Sequence, residues 1–222
     1  MGNKAIEAEA PRRGPRPGAR SPLQQAQRAA SRRAIVAALR GLIGDKPYDV
    51  IAIDDILAAA SVSRATFYRH FKAKRDVALA LYEAVMAGSL DHFRALGALR
   101  PGDHAAAVKW VEGLVAIYRG NGAASALILQ LGASDPVIHR RLRADRQWLI
   151  AELAALAPGF AATRGDSEAA QRARVRADLW LVMLDRVCVE IAVHEPLPLA
   201  GHYIERVAEE LGGLPRPIER PR

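Results

Sequence analysis

The chain holds one cysteine, Cys188, among 222 residues, so no disulfide can form within it and its cysteine usage gives no sign of an oxidising compartment. Without an activating cation beside it in sequence, Cys188 reads as a small buried hydrophobe rather than a redox sensor. Charged residues interrupt every apolar run before it reaches the roughly 18 residues that a membrane-crossing helix requires, so no membrane partner is expected. The N-terminus is basic but lacks the apolar stretch of a secretion signal, and a cytoplasmic location is the default expectation. Nowhere does the period-two alternation of a strand occur. Also missing are the GxSxG, GxGxxG, CxxC and phosphate-loop patterns of catalysis and nucleotide binding. His92, His104, His139 and His194 make no pair at zinc-site spacing, so no metal or cofactor is expected. Asp178 and Asp185 share one predicted helix and are expected on a solvated or dimer-edge face. An all-helical enzyme would need a convergent cluster of ionisable groups, which the sequence does not offer.

What the chain does have is positive charge, unevenly placed. Its net charge is +8, yet residues 1–75 hold 15 basic and 6 acidic residues, a net of +9, against 17 basic and 18 acidic in the remainder, a net of −1. The excess therefore lies in the first third, and a polyanion is the natural partner for it, because neutralised phosphates release condensed counterions. Residues 1–22 are rich in Pro, Gly and Arg and too poor in apolar residues to fold alone. They read as an arm, and two readings stay open for it: Arg12, Arg13, Arg16 and Arg20 reach DNA, or the arm is a solvated tail.

Periodicity predicts the helices. Ile35, Leu39, Leu42 and Ile43 fall on one face of a first helix over about 23–43, which Gly44 and Pro47 end. Ile53, Ile56, Leu57 and Ala60 give a short second helix with Asp54 and Asp55 in its first turn. Ser63 is placed to cap a third over about 64–71, where Phe67 and Phe71 face inward with Val62. That leaves Arg64, Ala65, Thr66, Tyr68, Arg69 and His70 on the outer surface, followed at once by Lys72, Lys74 and Arg75. Beyond Asp76 helices are predicted at about 76–96, 104–119, 122–132, 136–157, 167–194 and 200–212, separated by Gly/Pro breaks.

Two short helices joined by a tight turn in the basic third suggest a helix-turn-helix. The run from Ile56 to Asp76, above all Phe67-Tyr68, His70-Phe71 and Lys74, resembles the DNA-binding signature of the TetR family of bacterial regulators, and the resemblance covers about residues 28–80. It implies an all-α protein: a three-helix helix-turn-helix domain over 23–75, then a larger helical effector-binding and dimerisation domain over 76–213, with 214–222 a disordered tail. It further implies that Arg64, Ala65 and Arg69, on a helix headed by Ser63, read base edges while Thr66, Tyr68, His70 and Lys74 hold phosphates. Two departures stand out: Ala52-Ile53 opens the second helix where many members have Thr or Ser, and Ser61 occupies the turn where they have Gly.

The resemblance implies a homodimer through the last two long helices, at about 167–194 and 200–212. Leu179, Trp180, Val182, Met183, Val187, Val189, Ile191 and Val193 make the first of these apolar on more than one face. A two-fold dimer calls for a palindromic DNA operator. Family pockets lie among the middle helices, and Trp110, Leu114, Tyr118, Leu127, Gln130, Trp148 and Trp180 are the candidate lining of a site for a small, mostly apolar effector that releases a repressor from DNA. The alternative is a DNA-binding protein whose C-terminal domain binds a protein partner or nothing. A cavity lined by the tryptophans would favour the first and a solid core the second.

Overall fold

The computed structural model describes residues 21–193 and 197–214, and the proposed arginine arm, His194 and all but the first residue of the expected tail lie outside them. The described residues form helices and 3₁₀ turns, with no strand among them. They comprise α1 (Pro22–Asp45), α2 (Ile53–Ala60), α3 (Arg64–His70), α4 (Lys74–Arg94), α5 (His104–Arg119), α6 (Gly122–Ser134), α7 (Pro136–Leu156), α8 (Glu168–Val193) and α9 (Ala200–Gly212). Three 3₁₀ turns, at Tyr48–Val50, Ala95–Ala98 and Pro158–Thr163, were not foreseen, since they have too few residues to show a period.

The helix starts follow from capping chemistry. The Ser21 hydroxyl accepts from the Gln24 N–H and the Gln24 side chain accepts in return from the Ser21 N–H, with Pro22 at the first helical position. Asp103 accepts from Ala106 at the head of α5, and Asp135 from Val137 and Ile138 at the head of α7. For α4 the cap is reversed in direction: the Asp76 carboxylate accepts from the N–H groups of Lys72 and Ala73 at 2.8 and 3.0 Å.

Two apolar cores result, and they do not part at residue 75. The first joins Ile35 and Leu39 of α1, Ile56 of α2, Phe67 of α3 and Phe71 just after it to Val77, Ala78 and Leu81 of α4, and also takes in Leu127 and Leu131 of α6 and Ile138 of α7. The second gathers Trp110 and Leu114 of α5, Leu149 and Leu153 of α7, Phe160, Trp180 and Leu184 of α8 and Val207 of α9. Both buried tryptophans are held by their indole N–H groups. Trp180 donates to the Val207 carbonyl at 3.1 Å and Trp110 to the His92 carbonyl at 2.8 Å, while the His92 ring stacks on Trp110 and donates to its carbonyl at 2.8 Å. That stack requires a glycine opposite: a Cβ on Gly113 would stand 2.7 Å from the His92 ring. Among the described residues no helix is long and apolar enough to cross a membrane.

Candidate nucleic-acid interface and neighbouring cavity

A helix of seven residues cannot persist alone, since its nucleation cost is spread over too few hydrogen bonds. What holds α3 is its cap and its buried side. Ser63 accepts from the Thr66 N–H at 3.1 Å, and Phe67 and Phe71 are 0% and 4% exposed with ring centres 5.9 Å apart. Burial of those rings fixes the rotation of the helix, and Arg64, Ala65, Tyr68 and Arg69 are thereby turned to solvent. The turn before it closes through Ser61, which adopts φ 52° and ψ 44°, the left-handed region that glycine occupies without strain.

Each sequence-predicted contact residue has a definite state. Arg64 pairs with Asp54 at the start of α2, so the acidic residues there are partly spoken for; Asp55 likewise bonds the Ala52 N–H and Lys46, both at 2.8–2.9 Å. The Arg64–Asp54 pair is more than half exposed on both sides, and such pairs contribute only about 0–1 kcal/mol, so Arg64 is cheaply released. Arg69 donates to the Thr66 hydroxyl oxygen at 3.0 Å, which also takes the Ser63 hydroxyl proton, leaving Thr66 occupied within the helix.

His70 bonds Ser31 of α1 at 2.8 Å, and burial, then Arg28, Arg69 and Arg32, lower its imidazole below the ordinary value, which favours the neutral ring. Arg28 and Arg32, which periodicity placed only on outer faces of α1, stand with Gln25 and His70 around a shallow basic hollow beside α3. The pattern of residues could not have paired α1 with α3, because that contact is tertiary.

Lys74 departs from the phosphate role implied for it. Its ammonium donates to the carbonyls of Tyr48 and Ile51, each at 2.7 Å, and of Asp49 at 3.4 Å, and lies 4.2 Å from the centre of the Tyr48 ring. All three of its protons are used to tie down the 3₁₀ turn between α1 and α2. Lys74 braces the domain from inside.

The expected effector lining is largely wrong in its membership. Trp110, Leu114 and Trp180 are solid core, at 5%, 0% and 3% exposure; Leu127 belongs to the first core; Gln130 and Trp148 are exposed. Large apolar side chains fill space before they line it. Of the seven only Tyr118 borders a space of about 110 Å³ walled by α4, α5, α6, α7 and α8, while Trp180 borders a separate opening between α8 and α9. Tyr82, Val85, Met86, Ser125, Ile128, Leu142, Asp145 and Asp185 are among the lining of the first. Asp185, expected on a solvated or dimer-edge face, instead turns in and accepts from the Tyr118 hydroxyl at 2.6 Å, and Asp178 pairs with Arg146 at 2.8 Å. Cys188 is buried and its thiol is pushed up by burial and Asp185, which suits the inert reading. A further opening, toward α9, is bordered by Leu96, Leu99 and Phe160 among others but brings together no group with unusual chemistry.

The geometry defines a helix-turn-helix protein with a helical second domain. A family model described as bacterial regulatory proteins, tetR family, matches residues 35–81. The HTH-type transcriptional regulator EthR of Mycobacterium tuberculosis and of Mycobacterium bovis is 40% identical over 53 residues, and the alignment spans 24% of this chain and 24% of that protein. A TetR-family regulator from Streptomyces coelicolor has a similar fold, with a TM-score of 0.61 at 14% identity over 84% of this chain and 80% of that one. Thermus thermophilus FadR, a TetR-family repressor solved with lauroyl-CoA, follows at a TM-score of 0.56 and 22% identity over 86% and 99% of the two chains. Residues 35–81 thus match the DNA-binding domain of the TetR family, and the described residues as a whole share the all-helical fold of such regulators.

Ser61 supplies a stability test. A non-glycine residue in the left-handed region costs about 1–2 kcal/mol, part of which is offset because glycine also loosens the unfolded chain. Ser61→Gly is expected to stabilise the protein by about 0.5–1 kcal/mol, a rise in Tm of about 1–4 °C for a chain of this size. A fall in Tm on thermal denaturation would mean that the Ser61 side chain has a role the turn geometry does not reveal.

Proposed function

We propose that this chain is a sequence-specific transcriptional regulator that binds double-stranded DNA as a homodimer and is released from it, as a repressor, by a small effector. One observation carries the DNA half: α3 is pinned by Phe67 and Phe71 with Arg64, Ala65, Tyr68 and Arg69 outward, beside a basic hollow from α1. On this reading α3 enters the major groove, Arg64 and Arg69 meet guanine edges, Ala65 meets a thymine methyl, and Tyr68, His70 and Arg28 hold phosphates, with Ser63 and Thr66 at the groove edge. Lys74 contributes indirectly, by fixing the turn that supports α2.

A dimer is favoured by α8, whose inner face buries Trp180, Leu184 and Cys188 while Val175, Leu179 and Val182 recur at i, i+4 and i+7 with 60%, 63% and 43% exposure. Tyr203 of α9, also exposed, extends the patch. Pairing through α8 and α9 would present two α3 helices to half-sites about one turn of DNA apart, hence a palindromic operator.

The effector half is supported by how the two cores share helices. The first half of α4 lies in the helix-turn-helix core through Val77, Ala78 and Leu81, and its second half walls the cavity through Tyr82, Val85 and Met86. Likewise α6 places Leu127 and Leu131 in that core and Ser125 and Ile128 on the cavity. The Arg75–Asp135 pair at 3.3 Å adds a third tie, between α4 and the cap of α7. An occupant that moves either wall moves the seat of α3, which is the differential interaction that release requires. FadR, with a similar fold, is solved with lauroyl-CoA.

Selection of duplexes from a random library by the purified protein, read at several salt concentrations, is expected to return a palindrome. Arg64→Ala should weaken binding to it by about 1–3 kcal/mol and relax preference at one position per half-site. Equal, steeply salt-dependent affinity for every duplex would reduce the chain to a non-specific binder.

The imidazole of His70 gives a pH signature. Its value is lowered in the free protein and a neighbouring phosphate raises it, so DNA binding takes up a proton and affinity should rise as pH falls through the interval between the two. The increase should vanish in His70→Gln; a profile identical in both proteins would remove His70 from the phosphate contacts.

Leu179→Glu places a charge on the exposed stripe of α8 and should convert a dimer to a monomer in analytical ultracentrifugation without altering helix content. An unchanged dimer would place the subunit contact elsewhere.

A further inference from the structure

We propose that the cavity walled by α4, α5, α6, α7 and α8 takes a small organic cation, an ammonium group on a compact apolar body, held by Asp185, Tyr118 and Ser125. The proposal rests on the reading of the chain as an effector-responsive regulator, and gives that effector its chemical class.

Charge balance at the cavity wall decides the class. Three ionisable side chains besides the tyrosines line it, Asp145, Arg146 and Asp185. The Asp145 carboxylate is held by the Arg141 guanidinium, Nε to the two oxygens at 2.8 and 3.0 Å, and Arg146 is held by Asp178 at 2.8 Å. Arg186, next to Asp185 in sequence, points to Glu190 and is paired there. These pairs cancel. Asp185 is left with a neutral donor, the Tyr118 hydroxyl at 2.6 Å, and among the described residues no cationic side chain lies within ion-pair distance of it. Asp185 is therefore the one carboxylate lining the cavity that no described cationic side chain pairs. A carboxylate in such surroundings is costly, and burial raises its carboxyl above the ordinary value although Tyr118, Arg146 and Arg186 act against that. A ligand cation removes the cost that a neutral ligand leaves and an anion increases.

Ser125 is the second, independent mark of an absent guest. It is 7% exposed and lines the cavity, and its hydroxyl oxygen is buried without a hydrogen-bond partner. Buried hydroxyls are normally satisfied, and an ammonium N–H directed at this one would satisfy it. The remaining wall is apolar, with Val85, Ile128 and Leu142 among its residues. Its volume of about 110 Å³ is below the roughly 150 Å³ of an apolar cavity that admits benzene, so the body is smaller than an aromatic ring, a short branched chain.

Calorimetric titration of the full chain with isobutylamine, isobutanol and isobutyrate separates charge from shape. Isobutylamine should bind at least about tenfold more tightly than isobutanol, the difference expected of a charge-assisted contact, and isobutyrate should not bind. Asp185→Asn keeps an oxygen for the Tyr118 hydroxyl and should bring isobutylamine down to the level of isobutanol, while Ser125→Leu, which fills the cavity, should abolish both. Should Asp185→Asn fail to fold, the ranking of the three ligands on the unaltered chain still decides. Equal binding of amine and alcohol overturns the cation and leaves an effector pocket in place. Binding of none of the three overturns the proposal and its pocket together, and leaves the DNA-binding half to the Arg64 experiment.

Discussion

Burial of Phe67 and Phe71 is the constraint on which the rest depends. With seven residues, α3 has too few internal hydrogen bonds to sustain itself, and two rings inserted between α1, α2 and α4 hold it. Fully burying a side chain of this size is worth about 1.5–3 kcal/mol, so the pair outweighs every exposed ion pair on the helix. Those rings set not only that α3 exists but how it is rotated, since residues at i and i+4 must share the inner face. The outward set of Arg64, Ala65, Tyr68 and Arg69 is a geometric consequence. The Arg64–Asp54 pair and the Arg69–Thr66 bond then hold the arginines in defined positions at little energetic cost.

Around that seat the structure spends its stronger polar contacts on immobilising backbone. Lys74 gives three donors to the carbonyls of the Tyr48–Val50 turn and its neighbours, a use in which no other side chain of that length and charge would serve as well. Asp76 and Asp55 satisfy N–H groups at the starts of α4 and α2. Ser61 bears left-handed backbone strain so that α2 and α3 can cross within one tight turn. The helix-turn-helix is thus rigid where it must present α3, and exposed where it presents side chains.

How far the sequence revealed this divides along local and non-local lines. Helix positions and the inward pair Phe67 and Phe71 were legible because they depend on periods of three and four residues, and Ser63 because a cap acts within one turn. The 3₁₀ turns are too short to show a period. Lys74 was misassigned because a lysine beside a basic helix looks the same whether its ammonium reaches a phosphate or three carbonyls some 25 residues earlier. The tryptophans failed as pocket residues for a reason of volume: a large ring supplies the most apolar area to a core, and its indole N–H found carbonyl partners there. Tyr82 and Ser125 went unnoticed, and Asp185 was placed on an outer face, because nothing in the spacing of a polar residue on a helix says that its neighbour helix is absent at that point.

The shared helices also bound what an effector of this size can do. Allosteric coupling per site commonly amounts to about 1–3 kcal/mol, whereas driving an equilibrium from 1:99 to 99:1 needs roughly 5.5 kcal/mol of differential affinity. A cavity of about 110 Å³ admits a guest too small to supply the larger figure by apolar burial at about 25 cal/mol per Å². Under the proposed reading, two features reconcile a small guest with a useful response. Ion pairing at Asp185 is sensitive to sub-ångström changes in wall position in a way that apolar burial is not, because hydrogen-bond geometry is steep. And in a two-fold dimer both cavities act on one DNA complex, so the two couplings add while the operator must accept both α3 helices at once. A modest displacement of α4, transmitted through Val77 and Leu81 to the buried face of Phe67, then alters a spacing that DNA reads at the scale of a helical turn.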